Sequence, residues 1–243
     1  MENNYLNQGN SSIGSASQAS AAFISQVFTY MAGALAVTGV IAYLFGTNLE
    51  LVSLLRNPET GSNTILGWVV MLAPLAFILL MGAMMERLSA SMMLVAFIAY
   101  SALMGMSLSY IFLIYTQASI STTFFVTAGT FGVMAFVGYT TKTDLTKFGK
   151  ILMMALVGII IASLVNWFIG SSGLQYIISI IGVLVFTGLT AYDTQKLKEI
   201  GAQVGTGSET ASKLAMWGAL SLYLDFINLF LLLLRLFGGR NND

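Results

Sequence analysis

The chain has 243 residues, of which 57% are hydrophobic and only 8% are charged. Soluble domains carry about 25% charged residues, so this composition indicates an integral membrane protein. The net charge is zero, which offers no basic surface for nucleic acid. Neither Cys nor His occurs, which excludes disulfides, thiolate metal sites and imidazole as general base. Proton or ion chemistry must therefore use carboxylates, hydroxyls, amides or backbone groups, and we expect no cofactor.

The chain begins with a polar segment, residues 1–20, that is rich in Asn, Ser, Gly and Gln. We predict a disordered tail and no signal peptide, because the segment lacks the charged start that a signal peptide carries. Seven apolar segments follow, each near the roughly 20 residues that a helix needs to cross the hydrocarbon. They are 22–45, 65–85, 92–115, 122–139, 151–170, 174–194 and 214–237. Residues 21–243 are thus predicted to form one all-α, polytopic domain of seven transmembrane helices.

The distribution of Lys and Arg predicts the orientation in the membrane. The side of the amino terminus carries seven of them, namely Arg87, Lys142, Lys147, Lys150, Lys196, Lys198 and Lys213. The opposite side carries three, namely Arg56, Arg235 and Arg240. Because cytoplasmic loops are enriched in Lys and Arg, we predict a cytoplasmic amino terminus and a carboxyl terminus outside.

The seventh segment holds a carboxylate, Asp225, near its middle. Five polar or small residues are spaced by three, four, three and seven, which places them on one side of a helix. They are Gly218, Ser221, Asp225, Asn228 and Arg235. An ionisable group inside a bilayer is costly and usually has a function. This stripe predicts a central helix that lines a pore or faces other helices; alternatively, Asp225 only fixes helix packing through hydrogen bonds.

A second carboxylate, Asp193, lies at the end of the sixth segment. Consecutive helices are usually neighbours, and two carboxyls in contact share a proton because both cannot ionise cheaply. We therefore predict a proton-dependent switch in which Asp193 and Asp225 hydrogen-bond directly in the closed state. Asp225 lies twelve residues beyond Lys213, about 18 Å along a helix. The pair can meet only if the sixth helix extends past Lys196 or the seventh begins outside the hydrocarbon.

One cation, Arg87, lies on the short loop after the second segment, beside Glu86. Arg87 can be a positive-inside anchor, or it can be a latch that reaches the aspartates.

Two runs resemble the signature of the Bax inhibitor-1 family, also called the transmembrane Bax inhibitor motif family. They are TGLTAYDTQKLK at 187–198 and LSLYLDFINLFLLLLRLFG at 220–238. The chain after residue 20 resembles the bacterial members of this family in particular. The resemblance implies a fold of six helices around a central seventh. It also implies a cell inner (plasma) membrane location, a pH sensor formed by Asp193 and Asp225, and Arg87 as its latch.

The same resemblance implies a proton-sensitive calcium leak, and bacterial members are associated with regulation of a membrane-bound AAA protease. This chain departs from the family in two respects. The loop between the sixth and seventh segments is rich in glycine and longer than in compact bacterial relatives. The strongly charged carboxyl-terminal tail of some eukaryotic members is missing.

Three functions are compatible with these residues. The first is a pH-gated cation leak, in which Asp193 and Asp225 form a weak, transient calcium site, because calcium needs about six oxygen ligands. The second is an intramembrane aspartyl protease, but Tyr223 and Leu224 precede Asp225 where such enzymes have a Gly-x-Gly-Asp turn. The third is a non-catalytic regulator that binds another membrane protein. We expect the first, and no enzymatic activity.

Overall fold

The computed structural model describes residues 2–84 and 86–241, with side chains from residue 17 onward. The described chain is helical and contains no β-strand. Its helices are α1 (Glu2–Thr47), α2 (Leu49–Leu55), α3 (Ile65–Met84), α4 (Ala90–Leu108), α5 (Ile111–Ile114), α6 (Gln117–Thr140), α7 (Thr146–Ile169), α8 (Ser172–Val204) and α9 (Glu209–Phe237).

Seven stretches of this chain are long and apolar enough to cross a membrane, which confirms the predicted all-α, seven-span fold. The first of them is Ser17–Thr47 within α1, and α4 and α5 together form the third. The predicted disordered tail falls mostly on residues whose side chains lie outside the described part, and it stays a prediction. Its last residues are already fixed, however, because Ser20 is buried and its hydroxyl donates to the Lys198 carbonyl at 2.8 Å.

Capping and glycine residues set the ends of α7 and α8. Ser171 caps α8 by accepting a hydrogen bond from the backbone N–H of Leu174 at 3.2 Å. Gly170 ends α7 and Gly205 follows α8, with φ of 70° and 66°. Positive φ values are readily adopted mainly by glycine, and they allow the chain to reverse direction after a helix. α7 and α8 therefore form a tight hairpin.

The sixth and seventh spanning helices are longer than the hydropathy pattern predicted. α8 runs to Val204 instead of residue 194, and α9 begins at Glu209 instead of residue 214. The residues after 194 are good helix formers, and Leu197 and Gly201, four positions apart, remain buried. The helix therefore outlasts the apolar segment because one of its faces still packs on protein.

The chain forms two compact units. In the first, Phe124–Leu236 packs with the chain up to Thr29. Its core joins α8 to α9 through six buried side chains. These are Val185, Phe186, Leu189, Leu229, Leu232 and Leu233. α9 is 61% buried over its most apolar window, against 6–44% for the other spans, so the predicted central position of the last helix agrees with its burial.

The second unit contains Tyr30–Thr123 and the residues from Phe237. Within it, the Thr38 hydroxyl donates to the Ser101 carbonyl at 2.9 Å and ties α1 to α4. Gly105 of α4 lies so close to α1 that a Cβ there would be 2.7 Å from the Thr38 carbonyl oxygen. α2 and α3 form a short hairpin in the same unit.

Candidate functional site

The polar site of the first unit begins with a contact between α8 and α9. The Ser221 hydroxyl of α9 donates to Asp193 Oδ2 of α8 at 2.6 Å. Asp193 is half-buried. Ser221 lies four residues before Asp225, so both side chains project from the same face of α9.

Asp225 is the most buried ionisable carboxylate of this site, with 6% of its surface exposed. Its Oδ2 is enclosed and has no hydrogen-bond partner in the described part of the chain. The negative charge of Asp193 acts on it. The site is thus a pair of carboxyl groups, one bonded to a hydroxyl and the other with an enclosed oxygen that has no partner among the described residues.

The predicted direct hydrogen bond between the two carboxyls stays a prediction. Among the described residues, Asp193 Oδ2 accepts from Ser221 and Asp225 Oδ2 accepts from no group. The hydroxyl of Ser221, one turn before Asp225, binds one carboxylate oxygen of Asp193.

The first of the two alternative conditions for bringing the acids together is met, because α8 extends past Lys196. α8 continues eight residues past Lys196 to Val204, and α9 begins at Glu209, four residues before Lys213. Glu209 and Lys213 form an i,i+4 ion pair at 3.7 Å on this first part of α9. The hydrogen bond between Asp193 and Ser221 shows that Asp193 lies at the level of Ser221.

A set of contacts around Asp193 fixes α8 against the connection between α6 and α7. Gln195 Oε1 accepts from the Leu145 N–H at 2.8 Å, and its Nε2 donates to the Thr143 carbonyl at 2.9 Å. Lys198 Nζ donates to the Tyr139 carbonyl at 2.7 Å and lies 5.1 Å from the centre of the Tyr139 ring. Gln195, Lys198 and Tyr139 were not predicted to belong to the site; the available signal was a polar residue, Gln195, on the face of α8 that is buried.

Two glycines allow the helices beside Asp193 to approach closely. A Cβ at Gly138 of α6 would collide with the backbone carbonyl of Ala191. One at Gly149 of α7 would collide with the ring of Tyr192. The residues immediately before Asp193 are therefore clamped on two sides.

The predicted stripe on α9 divides into three parts. Gly218 and Ser221 meet α8, the first against Leu197 and the second against Asp193. Asn228 is half-buried and donates to the Leu224 carbonyl of its own helix at 2.8 Å. Arg235 is exposed in the last turn. Only the first part of the stripe, from Gly218 to Asp225, belongs to the carboxylate site.

Arg87 lies in the other unit, on the turn between α3 and α4. It is exposed and forms no ion pair among the described residues. Its role as a latch stays a prediction. Within the described chain, no group of three or more acidic side chains could hold a metal ion, so the two aspartates offer at most a weak site for calcium.

Comparison with known proteins decides the family. The family model described as "Inhibitor of apoptosis-promoting Bax1" matches residues 20–242. The chain belongs to the Bax inhibitor-1 family. Members of this family are generally regarded as non-enzymatic membrane proteins.

Relatives match over nearly their whole length. The chain is 47% identical over 219 residues to "Inner membrane protein YbhL" of Escherichia coli (strain K12), covering 90% of this chain and 92% of the relative. It is 44% identical over 221 residues to an uncharacterized protein of Borreliella burgdorferi, covering 91% and 93%. A relative in Deinococcus radiodurans is 41% identical over 222 residues, covering 90% and 91%. These matches support the family assignment.

Proposed function

We propose that this Bax inhibitor-1 family protein is a pH-sensitive cation leak whose gate is the pair Asp193 and Asp225. The observation that carries the proposal is the enclosed Oδ2 of Asp225, which lies in the last span without a hydrogen-bond partner among the described residues. An ionised carboxylate in such surroundings is costly unless another group neutralises it. A proton or a passing cation supplies that neutralisation.

The charges that face the pair favour a switch. Asp193 repels Asp225, while Lys196 attracts Asp193 and Ser221 donates to it. Protonation of either acid removes the repulsion between α8 and α9. Because the Asp193–Ser221 contact links these helices, the proton count of the pair biases their arrangement, and that bias is the proposed gate.

Calcium is the proposed ion because it prefers hard oxygen ligands. Two carboxylates and one hydroxyl are far fewer than the six to eight oxygens of a tight calcium site. Weak ligation suits an ion that must enter and leave. Gly218 and Asn228 would lie along the same path on α9.

The proposed location is the cell inner membrane, which is where the name of the Escherichia coli relative places that protein. The Lys and Arg distribution supports an amino terminus in the cytoplasm. Reporter fusions test the orientation: a reporter after Arg240 that is active only in the cytoplasm would contradict it.

The functional test is reconstitution of the purified protein alone into liposomes. We expect Ca²⁺ influx that changes between pH 6 and 8, with Na⁺ and K⁺ measured in parallel to assign the ion. Cleavage of a membrane-spanning peptide would instead favour an aspartyl protease. Neither flux nor cleavage would refute the leak and favour a regulator that acts on another membrane protein, such as a membrane-bound AAA protease.

A further inference from the structure

The second unit contains a pocket that the carboxylate site does not explain. Its volume is about 250 Å³, and it lies between α2, the start of α3 and the end of α4 with α5. Its lining combines the polar residues Arg56, Asn63 and Tyr110 with an apolar wall that contains Val70, Met71 and Met106. The pocket is therefore amphipathic.

The cation of this pocket lacks a counter-ion. Arg56 is half-buried, and its Nε donates to the Gly61 carbonyl. In the described part of the chain, no Asp or Glu forms an ion pair with it. A guanidinium has five N–H donors in a fixed fork, so this contact holds Arg56 in place and leaves donors for an anion.

The hairpin that carries Arg56 is built rigidly. Thr64 donates its hydroxyl to the Leu54 carbonyl at 2.6 Å and its N–H to the Leu55 carbonyl at 3.0 Å. The Asn48 side chain caps α2. Gly67 lies so close to α2 that a Cβ there would collide with the Leu55 carbonyl. The cation and the pocket wall are thus held in position before any ligand binds.

The pocket lies at one end of the spans. The second span begins at Ile65, so Met71 is about 9 Å deeper along α3. Trp68 and Tyr110 beside the pocket are 46% and 42% exposed, as is typical of aromatic residues at the membrane–water interface. Arg56 therefore lies at the level of lipid headgroups, and the apolar wall lies at the level of acyl chains.

We propose that this pocket binds an anionic phospholipid, with the phosphate on the Arg56 guanidinium and the start of an acyl chain along Val70, Met71 and Met106. An arginine fork matches the geometry of phosphate oxygens. Free phosphate shares that chemistry but would leave the apolar wall uncovered. The depth of the pocket along α3 favours the lipid, as do two exposed apolar side chains of the same hairpin, Leu49 at 85% and Ile65 at 87% exposure.

The test measures binding of phosphatidylglycerol to the full-length protein in neutral detergent by native mass spectrometry. Arg56→Gln should weaken binding about tenfold, equivalent to about 1.4 kcal/mol. Arg56→Lys keeps the charge without the guanidinium fork, and its affinity for the lipid should fall between those of the wild type and Arg56→Gln. Arg240→Gln is the matched control, because Arg240 is an exposed arginine of the same unit, and it should bind like the wild type. Inorganic phosphate is titrated in a parallel arm.

Wild-type affinity in Arg56→Gln would overturn the proposal. An equal loss in Arg240→Gln would overturn it too, since any surface charge would then suffice. Displacement of the lipid by inorganic phosphate at equal concentration would assign the pocket to free phosphate. If Arg56→Gln fails to fold, Arg56→Lys decides, and unchanged affinity in that variant refutes the role of the fork.

Discussion

The hydrogen bond from Ser221 to Asp193 predicts a pH-dependent loss of stability when the hydroxyl is removed. It joins α8 to α9 at 2.6 Å. A hydrogen bond to a charged group contributes about 1.5–3 kcal/mol, and a neutral one about 0.5–1.5 kcal/mol. Ser221→Ala should therefore lower the free energy of unfolding by about 1.5–3 kcal/mol where Asp193 is ionised. Where Asp193 is protonated, the loss should be about half as large.

The assay is reversible unfolding of the purified protein in mixed micelles at pH 8 and at pH 4, followed by circular dichroism. Thermal unfolding is a second readout, in which each kcal/mol corresponds to about 2–4 °C in Tm for a chain of this size. Ser212→Ala on the same helix is the control, because the Ser212 hydroxyl makes no hydrogen bond among the described residues. It should change stability by less than about 0.5 kcal/mol.

Two results would refute this reasoning. Equal losses for Ser221→Ala at both pH values would show that the bond does not depend on the charge of Asp193. A loss no larger than that of Ser212→Ala would show that the bond does not hold the helices together.

Three further predictions concern helix packing, the start of α7 and Arg87. Gly138→Ala should lower the free energy of unfolding by about 1–3 kcal/mol, because the added Cβ meets the Ala191 carbonyl. Gly132→Ala is the control: the added Cβ has open space, and the higher helix propensity of Ala should raise the free energy of unfolding by up to about 1 kcal/mol. Equal Tm values for the two variants would contradict the close packing at Gly138. The hydrogen bond from Thr146 holds the pKa of Asp144 below its usual range, so the stabilisation that it gives to the start of α7 is present above about pH 4 and lost as pH falls through the lowered value. Hydrogen exchange at the start of α7 should show protection at pH 7 that Asp144→Ala lacks, since Ala has no acceptor, and equal protection would argue against this role. Arg87→Ala should raise calcium leak at neutral pH if Arg87 is a latch, whereas unchanged leak with normal expression would make it a topology anchor.

The seven spans could be predicted from the sequence, and the two acids could be singled out, because apolar segments and the acids within or beside them are visible in the hydropathy pattern. Apolar runs of about 20 residues mark hydrocarbon crossings, and Asp225 interrupts one of them. The ends of α8 and α9 were not predictable in the same way. Hydropathy detects lipid contact, while the extension to Val204 is held by packing of Leu197 and Gly201 on protein.

The details of the site depend on side-chain geometry that spacing does not determine. Helical spacing placed Ser221 and Asp225 on one face, but which of the two accepts or donates to Asp193 depends on the rotation of α8 about its axis. Gln195 and Lys198 follow the predicted apolar segment, yet Gln195 donates to the Thr143 carbonyl in the α6–α7 connection and Lys198 donates to the Tyr139 carbonyl near the end of α6. Arg235 fitted the spacing of the stripe but is exposed, because α9 is ending there.

The most direct test of the proposed gate is the pH profile of calcium flux for Asp225→Asn in liposomes. Asn keeps the size of the side chain and fixes its charge at zero, so the account predicts flux that no longer changes between pH 6 and 8. Asp193→Asn should flatten the profile in the same way. Asp144→Asn, which removes an exposed carboxylate outside the spans, should keep the wild-type profile. Wild-type pH dependence in both Asp225→Asn and Asp193→Asn would contradict the account and place the proton sensor elsewhere in the chain.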